Sequence, residues 1–173
     1  MKNDVLVAYA TTCGSTQEVA EKIANTLKEK GLAVDTFPIK QVKTLEGYRQ
    51  VVLGAPLYMF RWHADAHRFL KKYRSALDGK LPVAIFASGP TEKGDEEEFR
   101  VVREQLDKEL AKYPWLRPSS IEIVGGRLDP ALLKFPYSMI PALKQMPPRD
   151  FRDWKAIRAW AIDLSTQINR RHT

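Results

Sequence analysis

Five short apolar runs alternate with helical patterns along this chain, and that alternation constrains its fold more than any other feature. The apolar runs cover residues 5–10, 33–37, 50–55, 82–88 and 120–125, and helical spacing covers 16–30, 64–77, 95–113 and 152–169. Two of the runs, 50–55 and 82–88, are apolar at consecutive positions, as in parallel strands that helices cover on both faces. The pattern predicts a single α/β domain over residues 1–173, a three-layer sandwich around a five-stranded parallel sheet.

The junction between the first run and the first helix has the composition of an anion site. Residues 11–16 read Thr-Thr-Cys-Gly-Ser-Thr and follow the apolar run directly. A hydroxyl-rich turn between a strand and a helix directs backbone N–H groups and the positive end of the helix dipole at one place. We therefore expect a phosphate to bind here, the alternative being an ordinary turn in which Ser15 or Thr16 caps the helix.

Three known kinds of phosphate loop do not match this segment. A triphosphate loop needs a lysine after its last glycine, but no lysine lies between Lys2 and Lys22. A dinucleotide loop needs three glycines, and only Gly14 is present. A cysteine phosphatase needs an arginine six positions after its nucleophile, and Val19 stands there, so Cys13 is a poor nucleophile. What remains is a monophosphate held by backbone amides and by the hydroxyls of Thr11, Thr12, Ser15 and Thr16.

This loop resembles the FMN-binding loop of flavodoxins. The positions of the family pattern are filled in order by Tyr9, Thr11, Gly14, Thr16, Ala20 and Ile23, while Ala8 stands where a larger apolar residue is usual. The resemblance implies a flavodoxin-like sheet with strand order 2-1-3-4-5. It also implies FMN as cofactor, with its phosphate on residues 11–16, Cys13 included.

In a sheet of that order a ligand lies beyond the carboxyl ends of the strands, between the first and the third. Residues 56–63 and 88–99 should then converge with the phosphate loop. The resemblance implies that both flank the isoalloxazine ring, with contacts from Pro56, Leu57, Tyr58, Met59, Trp62, Ser88, Gly89, Pro90 and Thr91. Tyr58 and Trp62 are the expected stacking residues, although Trp62 could instead begin a helix and pack in the core. No catalytic side chain is implied, because the flavin carries the redox chemistry.

An insertion at about 127–150 separates the fifth strand from the last helix. Its stretch 130–148 contains Lys134 and Lys144 but no acidic residue, and Pro136 and Pro141 should break it into short turns. Long structured insertions are often functional. We expect this one to lie on a membrane surface, cover the flavin or bind a hydrophobic substrate, and packing over a sheet edge is the plainer alternative.

The chain also resembles the flavodoxin-domain family that includes the menaquinone-dependent protoporphyrinogen dehydrogenases. The resemblance rests on the insertion and on residues 54–58, 125–128 and 153–157. It implies an FMN-dependent oxidoreductase acting on a quinone or porphyrinogen-like substrate, with a place in heme biosynthesis. Two alternatives stay open: a flavodoxin-type electron carrier that serves a redox partner protein, and a regulatory protein that keeps the fold without the cofactor.

Charge narrows the choice of partners without deciding it. The formal net charge is +7, with 28 Lys and Arg against 21 Asp and Glu, whereas electron-carrier flavodoxins are typically acidic. A basic surface suits an anionic membrane or an acidic substrate, and no nucleic acid is expected because no binding motif accompanies the charge. Without a signal-peptide core or an apolar span, we expect a cytoplasmic location or peripheral contact at the inner face of the membrane.

His63 and His67 have metal-ligand spacing but lack a third ligand, so no metal is expected.

Overall fold

The structure is a computed structural model, and it describes residues 3–90 and 93–171. Its strands are β1 (Val5–Tyr9), β2 (Val34–Pro38), β3 (Gln50–Tyr58), β4 (Arg61–Trp62), β5 (Val83–Ser88), β6 (Ser120–Val124), β7 (Arg127–Leu128) and β8 (Arg149–Asp150). Its helices are α1 (Ser15–Glu29), α2 (Ala64–Lys72), α3 (Arg74–Leu77), α4 (Glu96–Leu110), α5 (Pro141–Lys144) and α6 (Trp154–Arg170). Short 3-10 turns cover Ile39–Gln41, Pro130–Leu132 and Tyr137–Met139.

The main sheet has the order β2-β1-β3-β5-β6, and these five strands pair in parallel. Because β4 only folds back on the end of β3, the five parallel strands follow the predicted order 2-1-3-4-5, and that prediction is confirmed. The order reverses between β1 and β3, so a crevice is expected at their carboxyl ends, where residues 10 and 59 begin the following loops.

Two hydrophobic cores lie on opposite faces of the sheet and explain the uninterrupted apolar runs. Val7 and Val52 face α1 and α6, where they join a cluster that includes Ile23 and Ile157. The neighbouring positions Leu6 and Leu53 face the other side, in the cluster of α2 and α4. Since successive side chains of a strand point to opposite faces, a strand covered on both sides must be apolar throughout.

Two elements differ from the prediction. Strand β3 continues to Tyr58 instead of ending at residue 55, because Leu57 pairs with Trp62 and Tyr58 with Arg61 in an antiparallel hairpin. The helix predicted over 64–77 is divided at Tyr73, which ends α2 and precedes α3. The Tyr73 hydroxyl donates to the Val42 carbonyl at 2.8 Å, so this break is tied to the crossover after β2.

Residues 127–150 leave and rejoin the domain through a two-stranded antiparallel ribbon. Arg127 pairs with Asp150 and Leu128 with Arg149. At the base of the ribbon the Phe151 N–H donates to the Gly126 carbonyl at 2.9 Å. A Cβ on Gly125 would lie 1.8 Å from the Phe151 carbonyl oxygen, so only glycine allows this approach. The two ends of the segment are therefore held together at a closely packed base.

Over residues 3–90 and 93–171, no helix has both the length and the hydropathy that a bilayer span requires.

Candidate functional site

The loop between β1 and α1 is a tight turn that ends in a left-handed glycine. Gly14 has a φ of 89°, a conformation that glycine adopts without strain. Its N–H donates to the Thr11 side-chain oxygen at 2.9 Å, which closes the turn. The Thr11 hydroxyl accepts in this bond and so keeps its own proton for donation to a ligand.

Helix α1 begins without a side-chain cap, in contrast to the other long helices of the described chain. His63, Asp95 and Asp153 each accept a backbone N–H at the start of α2, α4 and α6. At α1 no side chain among the described residues does so, and Glu18 is the first residue whose N–H bonds back, to the Gly14 carbonyl at 3.3 Å. The N–H groups of the first turn and the positive helix end therefore face the crevice and can take an anion.

A buried hydroxyl pair joins this loop to the end of β5. The side-chain oxygens of Thr16 and Ser88 lie 3.0 Å apart, and both residues are buried. Either hydroxyl can donate, which leaves the other with a free proton. Thr16 and Ser88 thus link two of the three loops that the sequence predicted to converge.

The hairpin between β3 and β4 turns through two non-glycine residues of positive φ. Met59 has a φ of 46° and Phe60 a φ of 65°, which costs conformational energy in residues of this size. Both side chains face solvent, with exposed fractions of 81% and 66%. The tip of the hairpin therefore combines an uncommon backbone conformation with two large apolar side chains that point outward at the rim of the crevice.

Trp62 does not fit the predicted stacking role. Only 3% of the residue is exposed, and its indole N–H donates to the Ala55 carbonyl at 3.3 Å. The ring packs edge-on to His67 in the core, with 5.7 Å between the ring centroids. The alternation of side chains in β4 explains this outcome, because the pairing with Leu57 turns Trp62 inward and leaves Arg61 exposed.

Tyr58 lies at the crevice and packs against a tyrosine of the insertion. The ring centroids of Tyr58 and Tyr137 are 5.9 Å apart, with an interplanar angle of 32°. Burial, with smaller contributions from Cys13 and Tyr137, raises the pKa of the Tyr58 phenol to about 12. The loop of residues 11–16, the hairpin and the insertion therefore meet around this ring.

The loop after β5 is bonded to the strand beside it. The Gly89 N–H donates to the Val124 carbonyl at 3.0 Å, and the Pro90 carbonyl accepts from the Gly126 N–H at 2.8 Å. Gly89 and Pro90 were predicted to contact the flavin ring, and these two backbone groups are bonded within the protein. Thr91, predicted as a further contact, lies outside the described residues.

An ion-pair network connects the base of the insertion to the first turn of α1. Arg152, whose side chain is 3% exposed, donates to Glu18 at 2.6 Å and to Asp150 at 2.7 Å. Arg127 approaches the same Glu18 carboxylate at 3.1 Å. Arg152 also donates to the Ser15 carbonyl at 3.3 Å, so the network reaches the residue that opens α1. The two pairs with Glu18 join residues more than 100 positions apart, so no local pattern in the sequence indicates them.

The two histidines with metal-ligand spacing have different partners. The His63 ring accepts the Asp65 N–H at 3.1 Å and caps α2. His67 lies between the Tyr113 hydroxyl at 2.6 Å and Glu109 at 2.7 Å. Glu109 also accepts the backbone N–H of Trp62 at 3.4 Å, so the cluster of His67, Tyr113 and Glu109 is bonded to the hairpin.

Comparison with known proteins identifies the family. A family model described as "Flavodoxin domain" matches residues 6–149, which is most of the chain. The chain belongs to this flavodoxin-domain family.

Individual relatives are distant. The chain is 23% identical over 171 residues to protoporphyrinogen IX dehydrogenase [quinone] of Escherichia coli (strain K12), covering 92% of this chain and 93% of the relative. Flavodoxin 2 from Bacillus cereus superimposes with a TM-score of 0.59 at 18% identity, over 95% of this chain and 99% of the other. Rubredoxin oxygen:oxidoreductase of Desulfovibrio gigas gives a TM-score of 0.62 at 14% identity, over 99% of this chain but 37% of that longer one. The structural likenesses establish the shared fold.

Proposed function

We propose that this chain is an FMN-dependent oxidoreductase whose cofactor phosphate binds at the start of α1. The observation that carries the proposal is the uncapped first turn of that helix, placed at the point where the strand order reverses. Thr11, Thr12, Cys13, Gly14, Ser15 and Thr16 would surround the phosphate, mainly through backbone N–H groups. A monophosphate suits this loop because no lysine or arginine of the loop itself is available to a longer phosphate chain.

Residues at the ends of β3 and β5 would hold the isoalloxazine ring between these two strands. Tyr58 is the aromatic surface for the ring, and Pro56, Leu57 and Met59 line the same strand end and turn. Ser88, Gly89 and Pro90 form the opposite wall, whose backbone is fixed by its bonds to Val124 and Gly126. When bound, FMN supplies the electron transfer, and the chain's own residues orient it and exclude water.

Ligand discrimination tests this proposal directly. Apo-protein is titrated with FMN and with riboflavin, which lacks the phosphate, and flavin fluorescence is followed. We expect FMN to bind at least about 100-fold more tightly, because several charge-assisted hydrogen bonds are lost with riboflavin. Equal affinity for the two flavins, or no binding of FMN, contradicts the proposal.

A charge substitution locates the phosphate. Thr12→Asp places a carboxylate in the loop and should weaken FMN binding at least about tenfold while sparing riboflavin. Thr166→Asp is the matched control, since Thr166 is exposed on α6 and should leave both affinities unchanged. A loss of riboflavin binding in Thr12→Asp would instead indicate a damaged fold.

The proposed substrate is a hydrophobic molecule of the quinone or porphyrinogen kind. The name of the E. coli relative favours this class, and so does the apolar rim, by which we mean Met59, Phe60, Phe135, Met139 and Ile140, all exposed. A flavodoxin-type electron carrier is the second candidate, favoured by the end-to-end match to flavodoxin 2. Steady-state turnover of protoporphyrinogen with menaquinone by the isolated protein decides between them, because a carrier shows none without its partner.

The apolar rim also supports peripheral contact with an anionic membrane. Met59 and Phe60 follow Tyr58, while Phe135, Met139 and Ile140 flank Tyr137, the partner of Tyr58. Lys134 and Lys144 add positive charge without any acid between residues 130 and 148. Flotation with phosphatidylglycerol vesicles should recover the intact protein, and a chain lacking 130–148 should stay unbound. Equal recovery of both chains contradicts this contact.

A further inference from the structure

The insertion contacts each of the three loops that form the proposed flavin site. Arg127 and Arg152 at its base pair with Glu18 in the first turn of α1. Gly126 donates to Pro90 in the loop after β5. Tyr137 packs on Tyr58 at the end of β3.

The third contact differs from the other two because it is made by the body of the insertion. Tyr137 lies in a short 3-10 turn, Tyr137–Met139, and is half-buried, whereas Phe135 and Met139 on either side are 80% and 69% exposed. The turn therefore directs one aromatic ring inward and its neighbours outward. With 5.9 Å between the ring centroids, Tyr137 covers one side of Tyr58 and leaves no space for a third ring between them.

We propose that Tyr137 is a positioning residue of the flavin site, which fixes the ring of Tyr58 and makes the insertion a fourth loop of that site. The inference rests on the proposed function, since it concerns the ring that Tyr58 would stack on. Tyr58 stands at the end of β3, next to a turn of positive φ whose two side chains face solvent. Tyr137 packs against the Tyr58 ring, and the base contacts through Arg152 and Gly126 hold the insertion in the required place.

The test compares four proteins: wild type, Tyr137→Ala, Tyr137→Phe and Leu132→Ala. Tyr137→Ala should weaken FMN binding by about three- to tenfold, the range expected for loss of one aromatic pair. It should also raise the midpoint potential of the bound flavin, because water enters beside the ring and the negatively charged reduced form is less disfavoured. Tyr137→Phe keeps the ring and should retain the wild-type FMN affinity and midpoint potential. Leu132→Ala shortens an exposed side chain of the same insertion, outside the apolar rim, and should change neither.

Each outcome separates this inference from the proposed function. If wild type binds no FMN, the proposed function fails. If wild type binds FMN but Tyr137→Ala has the same affinity and potential, the positioning role is overturned while the flavin site stands. An equal effect of Leu132→Ala also overturns it, because the insertion would then act as a whole. Should Tyr137→Ala lose its fold, as judged by circular dichroism, Tyr137→Leu preserves the apolar volume without the ring and is held to the same expectations.

Discussion

The side-chain oxygens of Thr16 and Ser88 lie 3.0 Å apart and join the first turn of α1 to the last residue of β5. This buried pair holds two loops of the crevice at a fixed separation before any ligand binds. A preformed site loses less conformational entropy on binding, which favours tight association.

Removal of one hydroxyl should destabilise the apo-protein. Thr16→Val leaves the Ser88 hydroxyl buried without this partner, so we expect the free energy of unfolding to fall by about 1 to 3 kcal/mol. Urea denaturation of the apo-protein measures this change. Thr16→Ser retains the hydroxyl and should lose less, and a Thr16→Val protein as stable as wild type would show that the pair contributes nothing.

A substitution at Gly125 should release the insertion. An added Cβ would meet the Phe151 backbone at 1.8 Å, so Gly125→Ala must displace the base of the ribbon. We expect trypsin to cleave faster after Lys134 and Lys144, and mass spectrometry measures the rate at which the fragments form. Gly31→Ala is the control: its φ of 85° makes alanine strained, by about 1 kcal/mol or more, but open space surrounds it. Unchanged cleavage in Gly125→Ala, or faster cleavage in Gly31→Ala as well, would contradict this view of the base.

The hairpin tip should be stabilised by residues that favour its backbone. Replacing Met59 and Phe60 with Asn and Gly suits two successive positive φ values, so the free energy of unfolding should rise by about 1 to 3 kcal/mol. The same change removes two members of the apolar rim and should reduce vesicle recovery. Phe135→Asn is the comparison, expected to reduce recovery without any gain in stability. A tip variant no more stable than wild type would mean that the turn stores no strain.

The raised pKa of Tyr58 gives a dependence on pH with a definite sign. Burial raises the folded-state pKa to about 12 from 10.0, so the unfolded chain loses this proton first as the pH rises. The stability that Tyr58 contributes is fully present below pH 10 and is lost as the pH rises towards 12. The difference in unfolding free energy between wild type and Tyr58→Phe should therefore change by roughly 2 kcal/mol over that interval. A constant difference would show that the phenol is not buried.

Much of the fold follows from local pattern, and the exceptions have local causes. Runs such as 82–88 predicted parallel strands because burial on both faces demands apolar residues at every position. Residues 56–58 were predicted as loop, but they extend β3 by pairing with β4. That pairing depends on a two-residue turn without glycine, which sequence patterns do not indicate.

The candidate site was predictable where it depends on neighbours in sequence and obscure where it depends on distant ones. The loop 11–16 is a continuous motif, so its position after β1 could be inferred directly. The inward direction of Trp62 and the contact of Tyr137 with Tyr58 are consequences of tertiary packing, and no spacing rule indicates them.

The ribbon of β7 and β8 has a consequence for how such a protein can change. Because Leu128 and Arg149 are already paired, the chain between them can be replaced by a short turn without moving β6 or α6. The segment between β7 and β8 can therefore be exchanged as one unit while the domain core stays the same. Swapping this segment between relatives would transfer its surface chemistry while leaving the loop of residues 11–16 in place.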